Sequence, residues 1–501
     1  VSPLATGLAW TLGTIAALVL FAAMLRRRLQ RLAVRVIRRS GARLDRYKLQ
    51  AKPFVAAELL TDPRIALAVA EHARANGTTA KAGWERVERY IDEMVPSFNL
   101  LAYYRLGHPV AERVLGLFYK VVVTQEAPRA LAALPKDAVV IYLLNHRSNA
   151  DYVLAGYALA GEVSISWAVG EWARAWPLEP LFKAFGSYFI RRRYREPLYH
   201  AVLEAYVQLI TRNGVTQGIF PEGGLTRDGR LLPGKIGLFD YLLGIARDPA
   251  YRGRLYVVPV GINYDRVLED RSLLHEHARR EAAERGDAPP RGGRWRQLAG
   301  VGRYLGWNLT RLAFGRFRRY GLAAVTLGQP VPLAPWFDEV GAERIFGLER
   351  HERLAVVQAL MNELMARIGQ IVPVTPVPLV CAALQTLGGD FISGSALRER
   401  VEELRDVLRE LSARGLEGEG TLDEWLARAV EMLELRRVLA PTGDGYAVLP
   451  RGRELISYYA NSIAHLVGPF EAGVRARDAL LADLLTTGEM RVPRRAAVPR
   501  G

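Results

Sequence analysis

Five short apolar runs recur through the middle of this chain: Ala138–Leu144, Val163–Val169, Val215–Phe220, Leu255–Ile262 and Ala323–Leu327. A run that stays apolar along its whole length, with Val and Ile prominent, suits a strand covered on both faces, as in a parallel sheet. Helical spacing separates the runs, notably at Leu198–Thr211 and Phe239–Ala246. Strand and helix alternating in this way predict an α/β unit over residues 131–340, with a mixed, mostly parallel sheet flanked by helices.

A chain of 501 residues exceeds what one core organises, so flanking regions are expected. Residues 26–130 read as a basic juxtamembrane segment followed by a helical region, with apolar spacing at Ile65–Ala75 and Trp84–Phe98. Residues 341–501 read as a helical C-terminal region, with Ala342–Ile371 and Ala396–Leu411 densely charged. Residues 1–25 carry no charge, and Leu4–Leu25 would span roughly 33 Å as a helix, the thickness of a bilayer's hydrocarbon core. They are read as a transmembrane or membrane-anchoring helix. Arg26, Arg27, Arg28, Arg31, Arg35, Arg38, Arg39 and Arg43 follow it, which by the positive-inside rule puts the rest of the protein on the cytoplasmic side of the cell (inner) membrane.

Lys and Arg number 68 against 52 Asp and Glu, a net charge of +16 that attracts polyanions: nucleic acid, anionic lipid or phosphorylated small molecules. Between Arg294 and Tyr320, arginines interleave with Trp295, Tyr304, Trp307, Phe314 and Phe317; such a stretch suits a membrane headgroup layer, RNA, or a solvated basic face with its aromatics packed inward. The single cysteine, Cys381, sits in the apolar run Val377–Leu384, which excludes an intramolecular disulfide and reads as a small core residue. The eight histidines have no metal-ligand spacing, and no metal is expected.

The strand Ala138–Leu144 runs into Asn145-His146-Arg147-Ser148-Asn149-Ala150-Asp151. Sites in open α/β sheets form at the C-terminal ends of strands, so His146 is placed to meet a ligand. Asp151, five residues on, can accept the imidazole Nδ1–H and leave Nε2 able to take a proton from a hydroxyl. No G-x-S-x-G elbow and no activated thiol accompany the pair, so a substrate must bring the attacking group. A second cluster is Gly186-Ser187-Tyr188-Phe189-Ile190-Arg191-Arg192-Arg193, in which one guanidinium held at the sheet edge would grip a phosphate with both arms. The third runs Gly218-Ile219-Phe220-Pro221-Glu222-Gly223-Gly224-Leu225-Thr226-Arg227 and on to Pro233-Gly234-Lys235; its glycines let main-chain N–H groups approach an anion, with Arg227 and Lys235 as countercharges. The fourth, Val257-Val258-Pro259-Val260, is a strand whose proline implies an edge or a bulge.

Taken together and in order, these four blocks resemble the glycerolipid acyltransferases, whose motifs are H-x4-D, G-x-x-F-I-R-R, F-x-E-G-x-R-S-R and a strand with V/I-P-V/I. The first two blocks look most like the bacterial membrane-bound glycerol-3-phosphate acyltransferases, and the flanking stretches Tyr90-Ile91-Asp92-Glu93 and Tyr458–His465 are similar to that family's. Two departures matter: Leu225 stands where the third motif has its first arginine, and Gly234 separates Pro233 from Lys235 where the family commonly sets proline next to lysine, which shifts phosphate recognition toward Arg191 and Lys235.

The resemblance implies transfer of an acyl group from coenzyme A or acyl carrier protein to the sn-1 hydroxyl of glycerol 3-phosphate. His146 and Asp151 would be catalytic, and Arg147, Ser148, Gly186, Arg191, Glu222, Gly223, Gly224, Arg227 and Lys235 substrate-binding. The main-chain N–H groups of Gly223 and Gly224 are candidate oxyanion donors. No cofactor is expected; the partners are the two substrates and a membrane with anionic phospholipid, with no nucleic acid expected. The alternatives are a lysophosphatidate acyltransferase and, from another class, a non-catalytic basic protein binding anionic lipid or nucleic acid.

Overall fold

The structure, a computed structural model, describes residues 52–98, 108–159, 165–170, 178–191, 194–285, 320–415 and 420–487, with the single positions 24, 47 and 174. The run 1–25 apart from Met24, the basic segment after it, the arginine–aromatic stretch 294–319, and Arg192 and Arg193 lie outside the described residues. Among the described residues no single helix is long and apolar enough to cross a membrane. The chain divides into two compact units: Val1–Leu225 with Pro233–Ile262 and Val325–Ile368, and Thr226–Leu232 with Asn263–Ala324 and Gly369–Gly501.

The first unit is built on a sheet. Its strands lie in the order β1 (Lys120–Gln125), β7 (Leu322–Leu327), β6 (Leu255–Tyr264), β2 (Val139–Leu144), β5 (Gln217–Ile219), β3 (Ser166–Val169), β4 (Tyr188–Phe189), with β8 (Val331–Pro332) also beside β6. β2 is parallel to β5 and β6, β3 is parallel to β4 and β5, and β8 is antiparallel to β6. Every residue of β2 is buried, which is why its sequence shows no polar alternation. The mixed, mostly parallel α/β sheet expected from the apolar runs is therefore present.

Helices cover this sheet. In α1 (Ala80–Met94), Thr79 caps the N-terminus by accepting from Ala82 N–H at 3.2 Å, and Val87, Tyr90, Ile91 and Met94 form the buried face. The helix stops short of the expected Phe98 because Pro96 disfavours helical backbone at the residue before it. α2 (Asp151–Leu159) follows β2, and α3 (Pro197–Arg212) opens with proline at its first turn and packs against α1.

Two expectations change here. The region before residue 130, read as helical, contains β1, an edge strand whose Val-Val-Val-Thr core favours extended backbone. Pro259 is in an interior strand, opposite Leu143 of β2, and not at an edge or bulge. Its carbonyl accepts from Gly328 N–H at 2.8 Å, one residue beyond the end of β7, so the missing proline N–H falls where the ladder is already ending.

The second unit centres on α4 (Pro376–Leu387), ten of whose residues are buried, including Cys381; a helix apolar on all sides belongs in a core. Burial pushes the Cys381 thiol far up, so it stays protonated. The N-terminus of α4 is capped by Asp265, whose Oδ1 accepts from Val377 N–H at 3.0 Å while Oδ2 accepts from Leu322 N–H at 2.8 Å. Around α4 pack the helices Gly394–Glu410 and Leu422–Leu435 and α5 (Arg453–Asn461). This region is not helical throughout: β9 (Phe391–Ser393), β10 (Leu439–Thr442) and β11 (Gly445–Val448) form an antiparallel sheet in the order β10-β11-β9. Strands of three and four residues are too short for their periodicity to stand out beside long helices.

Candidate active site

β2 delivers the chain to the C-terminal edge of the sheet, where a set of buried hydrogen bonds holds it. Asn145 bonds to the main chain of β6 in both directions, Nδ2 donating to Ile262 O at 2.9 Å and Oδ1 accepting from Ile262 N–H at 2.7 Å. The next N–H, of His146, donates to Glu222 Oε1 at 2.8 Å. The imidazole stacks on Phe220, ring centroids 4.1 Å apart, and meets Tyr152 edge-on at 5.5 Å. Only 1% of His146 is exposed. Backbone, ring face and ring edge are therefore all constrained.

Asp151 is the first residue of α2, where a negative charge is favoured by the helix dipole. Its Oδ2 is the acceptor for three donors: His146 Nδ1 at 2.9 Å, Arg147 N–H at 2.7 Å and Ser148 N–H at 3.0 Å. Ser148 tightens the turn, its Oγ accepting from Ala150 N–H at 3.0 Å. A carboxylate can only accept, so Nδ1 is the donor in this pair. Among the described residues Nε2 makes no hydrogen bond. The arrangement is a histidine held in one orientation beside aromatic side chains, with Nε2 left as its free ring nitrogen among the described residues.

The remaining expected residues divide by position. Arg147 and Ser148 act on Asp151 through their main-chain N–H groups. Glu222, expected on substrate, instead holds the His146 backbone and is 2% exposed. Gly223, at φ 70°, closes a turn in which its N–H donates to Phe220 O at 3.0 Å, so this donor is already committed and the oxyanion expectation for it is withdrawn. Gly224 N–H has no partner among the described residues. Lys235 N–H donates to Pro221 O at 2.8 Å, and its ammonium lies against Gly223, 3.1 Å from where a Cβ would stand, so the two ends of this block close on one another. Arg227 belongs to the second unit and donates to Glu276 at 2.9 Å.

Arg191 stands just past the end of β4, at the same C-terminal edge as His146. Its fork is already occupied: Nε and Nη2 donate to the two oxygens of Glu93 at 2.9 and 2.6 Å. Gly186 lies at the start of β4, the opposite edge of the parallel sheet, where its φ of 81° and the ring of Phe98 against it shape the entry to the strand. The substrate-binding reading of Gly186 is therefore replaced by a structural one.

The stretches Tyr90–Glu93 and Tyr458–His465, flanks in the sequence, hold structural partners of the motif blocks. In the first unit, Glu93 is the partner of Arg191. In the second, Tyr459 and Arg436 both bond to the buried Asp270, Asn461 Nδ2 donates to Asp228 O at 2.8 Å, and His465 Nε2 meets Gly369 O at 2.9 Å. Of these, Asn461 holds the segment that continues the third block. Among the described residues no three His, Cys, Asp or Glu side chains stand together to hold a metal ion.

Comparison with known proteins gives two family matches in this chain. Residues 127–263 match the Acyltransferase family model, and residues 307–470 match the Glycerol-3-phosphate acyltransferase C-terminal region. Over these residues the chain is similar to the glycerolipid acyltransferases. Within that class it is similar to the glycerol-3-phosphate acyltransferase of Aeromonas hydrophila, 26% identical over 436 residues covering 84% of this chain and 50% of the relative. It is also similar to that of Shewanella loihica, 25% identical over 422 residues covering 82% and 49%. The chain thus spans about half the length of the curated relatives it matches. Among solved structures, the 1-acyl-sn-glycerophosphate acyltransferase of Thermotoga maritima aligns with a TM-score of 0.29 and 18% identity, over 52% of this chain and 78% of that one.

Proposed function

We propose that this protein transfers a fatty acyl group from an acyl thioester to the sn-1 hydroxyl of glycerol 3-phosphate. The observation that carries this reading is the buried His146–Asp151 pair, in which Nδ1 lies 2.9 Å from the carboxylate and Nε2 makes no hydrogen bond among the described residues. Nε2 removes the proton of the acceptor hydroxyl, whose oxygen attacks the thioester carbon. Asp151 stabilises the imidazolium so formed. The tetrahedral intermediate collapses by breaking the carbon–sulfur bond, and the imidazolium returns its proton to the departing thiolate. Gly224 N–H is the remaining main-chain candidate for the oxyanion within the third block.

The acceptor assignment is supported by two relatives bearing that name and by cations at the C-terminal sheet edge, Arg191 past β4 and Lys235 beyond β5. Coenzyme A and acyl carrier protein are both anionic donors suited to a chain of charge +16. Anchoring through residues 1–25 at the cytoplasmic face of the cell membrane fits a lipid product that must enter the bilayer. Deleting those residues is expected to release the protein to carbonate extraction.

The test is acceptor profiling of the purified protein with glycerol 3-phosphate beside lysophosphatidate. Transfer to glycerol 3-phosphate is expected, and His146→Ala should lower turnover by roughly 10² to 10⁴-fold without unfolding the protein. Use of lysophosphatidate alone would overturn the acceptor, and near-normal turnover in the variant would overturn the chemistry.

A further inference from the structure

Glu93 has two arginine partners. Besides the paired bonds from Arg191, its Oε1 is met by Nη2 of Arg174, a residue that belongs to none of the four motif blocks. Two like charges are thereby brought to one carboxylate. Burial, and after it the Arg191 charge, hold the Arg174 guanidinium below the ordinary arginine range. The rings of Tyr194, Tyr90 and Tyr199 surround the Arg191 guanidinium at 4.8, 5.5 and 5.8 Å, fixing its plane. Both arginines remain partly open, at 27% and 28% exposure, and Arg191 Nη1 makes no hydrogen bond among the described residues.

An ion pair made only for stability would balance its charges. Here one carboxylate stands between two guanidinium groups, and the other anion acting on Arg174, Glu179, is paired with Lys183, so the cluster keeps one unit of positive charge in excess. It lies at the sheet edge that carries His146, three strand spacings away along β2, β5, β3 and β4, or about 14 Å between main chains. Long side chains and a bound acceptor span such a gap. Arginines held in a fixed plane with donors to spare suit a phosphate, which accepts from several N–H groups at once.

We propose that Arg174 is the second cation of the acceptor-phosphate site, and that Glu93 is the positioning residue that holds Arg174 and Arg191 side by side before the phosphate arrives. This rests on the reading of the protein as a glycerol 3-phosphate acyltransferase. Arg191 meets the phosphate by the Nη1 edge that Glu93 leaves open, and Arg174 by the donors directed away from Glu93.

Arg174→Ala, Arg174→Lys and Glu93→Gln in the full chain test it. Arg174→Ala should raise the KM for glycerol 3-phosphate about tenfold or more, while the KM for the acyl thioester stays within about twofold. Arg174→Lys should recover part of the loss, since charge returns without the planar fork. Glu93→Gln should raise the same KM by a smaller factor with kcat largely kept. Calorimetric titration with inorganic phosphate reads the site without turnover, and Arg174→Ala should weaken that binding in parallel. An unchanged KM for glycerol 3-phosphate in Arg174→Ala, or equal losses toward both substrates with a lowered melting temperature, overturns the proposal. Phosphate binding lost in Arg174→Ala while the wild type fails to acylate glycerol 3-phosphate would instead leave the anion site standing and overturn the acceptor.

Discussion

Replacing Asp151 by asparagine removes a negative charge from this site and keeps an acceptor oxygen. Arg147 and Ser148 aim two main-chain N–H groups at the same oxygen, at 2.7 and 3.0 Å, so the amide must turn its oxygen toward them and keep its NH2 away. The His146 Nδ1–H, at 2.9 Å, then still finds an acceptor and the tautomer survives. What is lost is the negative charge that stabilises the imidazolium. Two unit charges about 4 Å apart at an effective dielectric near 20 attract by about 4 kcal/mol, and about 1.4 kcal/mol is a tenfold change in rate. Turnover should therefore fall by about 10² to 10³-fold, with both KM values little changed. Hydrogen bonds to a charged acceptor contribute about 1.5–3 kcal/mol against about 0.5–1.5 for neutral ones, so weakening three of them should also lower stability, by up to about 3 kcal/mol. Steady-state transfer from a labelled acyl thioester to glycerol 3-phosphate, with thermal melting of the same samples, measures both. A folded Asn variant retaining more than about a tenth of wild-type turnover would refute the reasoning.

Glu222→Ala should destabilise by about 1–3 kcal/mol and reduce turnover, because it strands the buried His146 N–H; Glu222→Gln, which keeps an acceptor, should cost less, and paired melting and activity assays would separate the two. A Cβ on Gly218 would stand 2.2 Å from Trp167, whose ring stacks on Phe220 and so bears on the imidazole. Gly218→Ala is accordingly expected to lose about 1–3 kcal/mol together with activity, and unchanged melting would contradict that packing. Burial raises Asp265 from 3.8 to about 6 in the folded protein, so the native state holds its proton more tightly than the unfolded chain does. Its contribution to stability is complete below about pH 4 and fades as pH rises through about 6, by about 3 kcal/mol; urea unfolding across that window should show the slope in the wild type and not in Asp265→Asn.

The fold class and the dyad were legible in the amino-acid sequence because both are local. A strand buried on two faces must be apolar throughout, as Val139–Leu144 is, and the H-x4-D spacing places Asp151 one turn from His146, at the first residue of a helix. β1 is as long as β2 but only half covered, so it lacks the continuous apolar run of a buried strand, while the β9–β11 strands of three and four residues carry too little periodicity to compete with neighbouring helices. The roles of Glu222, Arg191 and Gly186 were decided by tertiary structure alone. Glu222 reads as a ligand residue until β5 is seen beside β2, which brings its carboxylate to the His146 backbone. Arg191 reads as an empty fork until α1 supplies Glu93, separated from it by 98 positions. Gly186 is near Arg191 in sequence, yet the run of β4 between them separates the two edges of the sheet. Sequence thus determined which chemical groups are present and which local turns they make; which carboxylate faces which cation depended on strand order, since partners so far apart along the chain are brought together only by packing.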